Sequence, residues 1–269
     1  MPADTPVRML VLKSRREMKK MAEAGRLVAQ AHAIAREMCQ PGVKTSEIDA
    51  QIDKLFAEHR ATPLFKGFPG EVPFPAATCI SINEVVVHGI PGDQVLRAGD
   101  IVSVDTGCRV DGWCGDAAWT YPVGEVDDEK QRLLECGRNT LATAIKGFGT
   151  EKKWSQVARR MMAEVKRYKF ALVEQFVGHG IGKEMHEGPQ VPNYTSDELQ
   201  DEDFDLRPGI VLAIEPMINV GTHEIEILSD TWTAVTADRR PSVHFEHTVG
   251  LTSDGPLILT DGVGDPLFP

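Results

Sequence analysis

Apolar residues recur at helical spacing near the start of the chain. Met18, Met21, Val28, Ala35 and Met38 follow Ser14 and Glu17, a pair that reads as a capping box, and the helix they predict stops before Pro41-Gly42. A second helix is expected from Thr45 or Ser46, with Ile48, Ile52, Leu55 and Phe56 on its buried face. Residues 63–75 hold four prolines and two glycines among Phe65, Phe68 and Phe74, which predicts an irregular, aromatic-rich loop. The pattern then turns strand-like at 78–82, 85–90, 100–108 and 113–121, helical over 127–147 and 151–167, and strand-like again at 210–219, 223–228, 231–236 and 243–251. No low-complexity linker divides the chain, so it reads as one compact α+β unit.

Two segments echo one another. Arg97-Ala-Gly-Asp-Ile-Val-Ser-Val-Asp105 and Arg207-Pro-Gly-Ile-Val-Leu-Ala-Ile-Glu215 align position for position. In each, an Arg-x-Gly turn launches a buried strand that ends in a carboxylate. The shared register predicts two related halves, each delivering an acid to a common centre.

Composition narrows the classes. The 269 residues carry 29 Lys and Arg against 40 Asp and Glu, a net charge of −11, which disfavours nucleic acid or an anionic membrane as the main partner. No apolar run approaches the roughly 18–20 residues of a bilayer span, and the short apolar stretch at 9–12 is no leader core. Five cysteines without a CxxC pair argue against a disulfide scaffold or a zinc finger. A reduced, cytoplasmic protein is the expectation. Six acids at 197–205 read as a solvated surface loop. Seven basic residues at 151–169 and five at 13–20 read most simply as exposed helix faces, and secondarily as a patch for transient contact with the ribosome surface.

An ionised side chain beside a core strand is costly, and Asp105 closes the run Ile-Val-Ser-Val. A four-residue hairpin loop at 109–112 would pair Cys108 with Trp113 and set Asp105 directly opposite Asp116. Two carboxylates about 5 Å apart repel by roughly 3 kcal/mol at an effective dielectric near 20. A divalent cation offsets that better than a shared proton. Glu215, Glu246 and His179, the last between flanking glycines, extend the set to four carboxylates and an imidazole, suited to a pair of divalent ions.

The ordered segments Ser81-Ile-Asn-Glu-Val-Val-Val-His88-Gly-Ile-Pro91, Val104-Asp105 with Gly115-Asp116, Gly178-His179-Gly-Ile-Gly182, Ile214-Glu215-Pro216-Met217 and Phe245-Glu246-His247-Thr248 closely resemble a type I methionine aminopeptidase. His186-Glu187-Gly-Pro189 and Asn193-Tyr194 fall in order between them. The resemblance implies the pita-bread fold of creatinases and aminopeptidases: a single catalytic domain over 1–269 with two pseudo-symmetric α/β halves, about 10–125 and 126–255, and a curved antiparallel sheet covered by helices. It implies that Asp105 binds one metal alone, Asp116 and Glu246 bridge two, and His179 and Glu215 bind the second. The two divalent ions would be Co, Mn, Fe, Zn or Ni. His88 and His186 match the non-ligand histidines near the scissile bond, and Glu215 would shuttle a proton from a metal-bridging water. The family removes the initiator methionine from nascent polypeptides whose second residue is small. No specific nucleic acid or membrane partner is implied, and a monomer is expected.

By the same resemblance, Phe65, Phe68, Phe74, Cys79, Met185 and Trp232 would wall the methionine pocket. Here the chain departs from bacterial relatives: Phe65 stands for a small residue, Phe68 and Phe74 for tyrosines, Met185 for phenylalanine, and the loop near 71–73 is longer. Two rivals share the fold: an X-Pro aminopeptidase or prolidase, which normally has a large extra N-terminal domain, and a non-catalytic binding module, which normally loses ligands.

Overall fold

A computed structural model of the chain describes residues 10–267; the expectation that the first residues carry no leader lies outside them. Helix α1 (Arg15–Met38) begins at the anticipated capping box, the Ser14 N–H donating to Glu17 Oε2 at 2.7 Å. Its buried face includes Met18, Met21, Ala24, Val28, Ala31 and Ala35. Helix α2 (Thr45–Glu58) buries Ile48, Ile52 and Phe56 and leaves Leu55 half-buried. After β1 (Thr62–Pro63) come β2 (Thr78–Ile82), β3 (Val85–Val87), β4 (Ile101–Val110) and β5 (Trp113–Pro122). β2 and β5 flank β4 antiparallel, and α1 packs on β4 and β5.

The second part of the chain repeats this plan with more strands. Helices α3 (Asp128–Phe148) and α4 (Trp154–Tyr168) are followed by β6 (Ala171–Leu172), β7 (Gly178–Gly180), β8 (Glu187–Val191) and a 3-10 turn (Asp197–Glu202). Then come β9 (Val211–Ile214), β10 (Met217–Asn219), β11 (Ile225–Ile227), β12 (Ala234–Thr236), β13 (Ser242–His244), β14 (His247–Thr252) and β15 (Gly255–Ile258). The largest sheet here runs β15-β14-β9-β7-β8.

The echo in the sequence is an echo in the backbone. Lys44, the residue before α2, bridges Val95, and Lys153, the residue before α4, bridges Asp205. Two residues after each bridge comes an arginine, then a glycine at positive φ (Gly99 at 91°, Gly209 at 106°), and then β4 or β9. Glycine is needed at both turns because an L side chain rarely adopts that conformation.

A polar seam joins the two sheets. The Asp116 N–H donates to Thr248 Oγ1 at 3.1 Å, and that hydroxyl donates to Asp116 O at 2.8 Å. The Glu246 N–H donates to Ala118 O at 2.7 Å, and Thr120 Oγ1 donates to His244 O at 2.9 Å. Residues 116, 118 and 120 thus run antiparallel to 248, 246 and 244.

Four local expectations are corrected. The hairpin after β4 is a two-residue turn: Asp111 (φ 48°) and Gly112 (φ 80°) supply the paired positive angles of a type I′ turn, and Val110 pairs with Trp113. Asp105 therefore faces Ala118, not Asp116, and Cys108 faces Gly115 rather than Trp113. The strand expected over 85–90 stops at Val87, because His88 takes φ 59°. The strands expected over 210–219 and 243–251 are each interrupted, at Glu215-Pro216 and at Phe245-Glu246. Pro216 has no N–H to continue a ladder, and the Glu246 N–H is drawn to Ala118 O. Lys13, read as part of an exposed basic face, is 5 % exposed. The other basic residues of 13–20 and all seven of 151–169 are exposed. The acidic run at 197–205 is largely exposed but is partly wound into the 3-10 turn. Among the described residues no helix is long and apolar enough to cross a membrane.

Candidate metal centre

The pairings carry all five expected ligands onto one face of the joined sheets, in two neighbouring rows. Asp105 lies opposite Ala118, which meets Glu246 across the seam. Extending the His247–Ile214 register by one place sets Glu246 opposite Glu215. The adjacent row runs Gly107, Asp116, Thr248, Ala213, His179. Members of the two rows are two residues apart along each strand, so they share a face. Asp105 and Asp116 are thus diagonal neighbours on one face, farther apart than direct opposition would set them but on the same side of the sheet. The positions between ligands are small. A Cβ on Gly107 would stand 2.7 Å from Asp116 Oδ1, so only glycine leaves that carboxylate its place.

One ligand atom from each of Asp116, His179 and Glu246 lies within 4.8 Å of the others. Glu215 adjoins them, its Oε1 3.5 Å from His179 Nε2 and its Oε2 3.6 Å from His244 Nε2. Asp105 Oδ1, Asp116 Oδ1 and Glu246 Oε1 are buried without a hydrogen-bond partner. Buried oxygens left this way are rare, and a cation satisfies several at once. His179 Nδ1 sits 2.9 Å from Gly180 O, a contact that places the ring proton on Nδ1 and leaves the Nε2 lone pair for a metal.

The electrostatics agree with the geometry. Burial pushes the Asp116 carboxyl up to about 7. Burial, and then the charge of neighbouring acids, pushes Asp105, Glu215 and Glu246 well above the usual carboxylate range. Burial, followed by the nearby His186, holds His179 down to about 3. Without a cation the carboxyls are pushed toward their neutral forms, a preference that a divalent ion reverses, while the imidazole of His179 is already in the neutral form that binds a metal. The oxygen-rich set with a single imidazole fits such an ion.

Beside the carboxylates, Phe65, Phe74, Cys79 and Met185 form a buried apolar cluster, with Phe68 and Trp232 packed against it. The ring of Phe74 meets Trp232 edge-on at 5.3 Å. The loop near 71–73 is tied to the same tryptophan: Trp232 Nε1 donates to Val72 O at 2.8 Å, and a Cβ on Gly70 would fall 2.5 Å from the indole. The rings of His179 and His186 lie 4.4 Å apart, and His88 stands 6.3 Å from Trp232. Acids, histidines and apolar cluster line one cleft of about 1770 Å³, which opens past Tyr194 toward the 3-10 turn.

One residue at the site, His244, was not singled out from the sequence, and another, Asn193, stood there only within a motif with no role given. His244 is 2 % exposed, its N–H donates to Thr120 Oγ1 at 3.0 Å, and burial holds its ring down to about 3. Its place two residues before Glu246 puts it on the same sheet face, a signal available from strand alternation. Asn193 is fully buried and donates from Nδ2 to Glu215 O at 3.1 Å. That contact spans a loop, and no local pattern announces it.

Comparison with known proteins gives the same picture. The chain is 40 % identical to methionine aminopeptidase 1 of Bacillus subtilis over 252 residues, covering 94 % of this chain and 99 % of that one. It is 39 % identical to methionine aminopeptidase of Aquifex aeolicus, over 93 % and 98 % of the two chains. The crystal structure of methionine aminopeptidase from Thermotoga maritima superposes with a TM-score of 0.88 at 40 % identity, covering 94 % of this chain and 99 % of that one. A prolidase from Pyrococcus furiosus shares the fold at TM-score 0.73 and 21 % identity; this chain covers 65 % of it. The fold is accordingly the α+β pita-bread fold. Residues 19–253 match metallopeptidase family M24, and the chain belongs to that family.

Proposed function

We propose that this chain is a methionine aminopeptidase that removes the N-terminal methionine from peptides and nascent proteins with a small second residue. The observation that carries the reading is the meeting of five ligand side chains on two rows of one sheet face beside an apolar pocket. Asp105, Asp116, His179, Glu215 and Glu246 would together hold the divalent ions. When bound, such ions polarise a peptide carbonyl and lower the pKa of water. Their identity among Co, Mn, Fe, Zn and Ni follows availability as much as affinity.

The chain's own residues do the rest. Glu215, held beside His179 and His244, takes a proton from the attacking water and passes it to the leaving amine. His186 and His88 both line the cleft, and one or the other donates to the substrate carbonyl as negative charge develops. The cluster of Phe65, Phe68, Phe74, Cys79, Met185 and Trp232 receives the methionine side chain and excludes water from it. In this reading the chain acts as one catalytic unit, with halves of about 10–125 and 126–255 each supplying two acids. It works in the cytoplasm as a monomer, with transient ribosome contact through exposed lysines and arginines.

Metal-free protein should not cleave a Met-Ala-Ser peptide. Reconstitution with a divalent metal should restore release of methionine from the free peptide and not from its N-acetylated form. No release of methionine with any of the five metals overturns the reading.

A further inference from the structure

Lys13 is a lysine almost wholly out of water, its side chain 3 % exposed, in the extended segment before α1. Its ammonium lies 2.5 Å from Glu187 Oε2, and the Glu187 side chain is 14 % exposed. The same carboxylate accepts at Oε1 from the backbone N–H groups of Lys183, at 2.8 Å, and Glu184, at 3.3 Å. One side chain thus closes the 182–187 turn on itself and ties it to a segment 174 residues away. The Lys13 backbone is fixed too, its N–H donating to Gly209 O at 2.7 Å in the turn that launches β9. Gly182 completes the fit, since a Cβ there would fall 2.5 Å from Glu187 Oε1 and 2.6 Å from Lys13 Cε. A buried ammonium is tolerated only when paired, so this contact is strongly determined.

The turn it closes carries Met185, in the apolar cluster, and His186, whose ring packs 5.4 Å from Phe68. All three side chains border the cleft: Met185 is buried in the apolar cluster, His186 is exposed, and Glu187 is held by Lys13. We infer that Lys13 and Glu187 are positioning residues, an ion pair that sets where Met185 and His186 stand and so how the methionine pocket is walled. The inference takes the substrate from the reading above and adds a control on its selectivity from a segment that does not line the reacting atoms.

The test compares the parental chain with Lys13→Met, with the double variant Lys13→Met/Glu187→Gln, which leaves no buried charge unpaired, and with Lys13→Arg, which keeps the pair. The readout is the ratio of kcat/KM for Met-Ala-Ser over Leu-Ala-Ser. A smaller active fraction scales both substrates alike and leaves that ratio alone. Lys13→Met and the double variant should lower it about tenfold, the scale of a misfitted side chain in an apolar pocket, and Lys13→Arg should recover most of it. In 15N-histidine spectra of the metal-free chain the His186 ring signals should shift or broaden in both variants while those of His32 stay put. A folded double variant with the parental ratio and an unmoved His186 signal overturns the inference. An inactive parental chain would instead overturn the reading of function, with the His186 spectra still deciding this one.

Discussion

The two halves of the centre deliver their acids by different backbone devices. Asp105 and Asp116 sit inside long, uninterrupted strands, β4 and β5, whose ten paired positions and type I′ turn set where each carboxylate stands. Glu215 and Glu246 sit where strands break, between β9 and β10 and between β13 and β14. A mid-strand residue is placed by many hydrogen bonds at once. A residue at a break is placed by a few: the Glu246 N–H to Ala118 O, and the Asn193 amide to Glu215 O. The longer glutamate suits the second device, because its extra methylene reaches over the gap, while the shorter aspartate suits a rigid ladder. The hairpin side should therefore tolerate distant perturbation, and the broken side should be sensitive to single contacts.

Removing a ligand from either side ends the comparison, and this is the largest effect expected. Asp116→Asn and Glu246→Gln each take a carboxylate from the tightest group of donors. Both should lose tight binding of divalent metal by calorimetry and lose detectable turnover, while far-UV circular dichroism stays parental. Retention of full metal stoichiometry by either variant would show that the tight group is not the centre.

Much of this difference was written in the chain, and the rest was hidden for identifiable reasons. The capping box at Ser14, the helical spacing of α1 and the apolar runs of β2, β4 and β5 are local, so pattern alone locates them. The register of the hairpin is also local. Asp111-Gly112 is a strong two-residue turn signal, and counting Arg109 and Val110 into the loop misplaced Asp105 by one diagonal. The breaks at Glu215 and Glu246 are less visible, because periodicity continues through them and only Pro216 warns of the first. The burial of Lys13 and the contact made by Asn193 were legible in neither pattern nor composition. Each is explained by a partner far along the chain, Glu187 in one case and the Glu215 carbonyl in the other. Buried polar residues of this kind are decided by tertiary pairing, which a single sequence does not display.

A middle-sized effect probes the broken side. Asn193→Ala removes the buried donor to the Glu215 carbonyl and should cost about 1–3 kcal/mol of stability in denaturant unfolding. The larger consequence is functional: with the Glu215 backbone less well held, metal affinity or kcat should fall about 10–100-fold. A variant that loses stability yet keeps parental kcat and metal affinity would mean that Glu215 is placed by its side-chain neighbours instead.

The smallest effect probes the hairpin side and sharpens the contrast. Gly112 takes φ 80° at the turn, and a Cβ there would meet nothing within 4 Å. Gly112→Ala therefore introduces backbone strain without a clash, about 1–2 kcal/mol for a left-handed alanine. Asp105 and Asp116 lie several paired positions from the turn, and Asp116 is also clasped by Thr248 across the seam. The strain should appear as a lower midpoint of thermal unfolding, with metal affinity and kcat/KM unchanged. A turn variant that weakened metal binding as much as Asn193→Ala does would erase the distinction between the two devices. It would mean that the hairpin register depends on its turn and not on the ladder and seam that surround it.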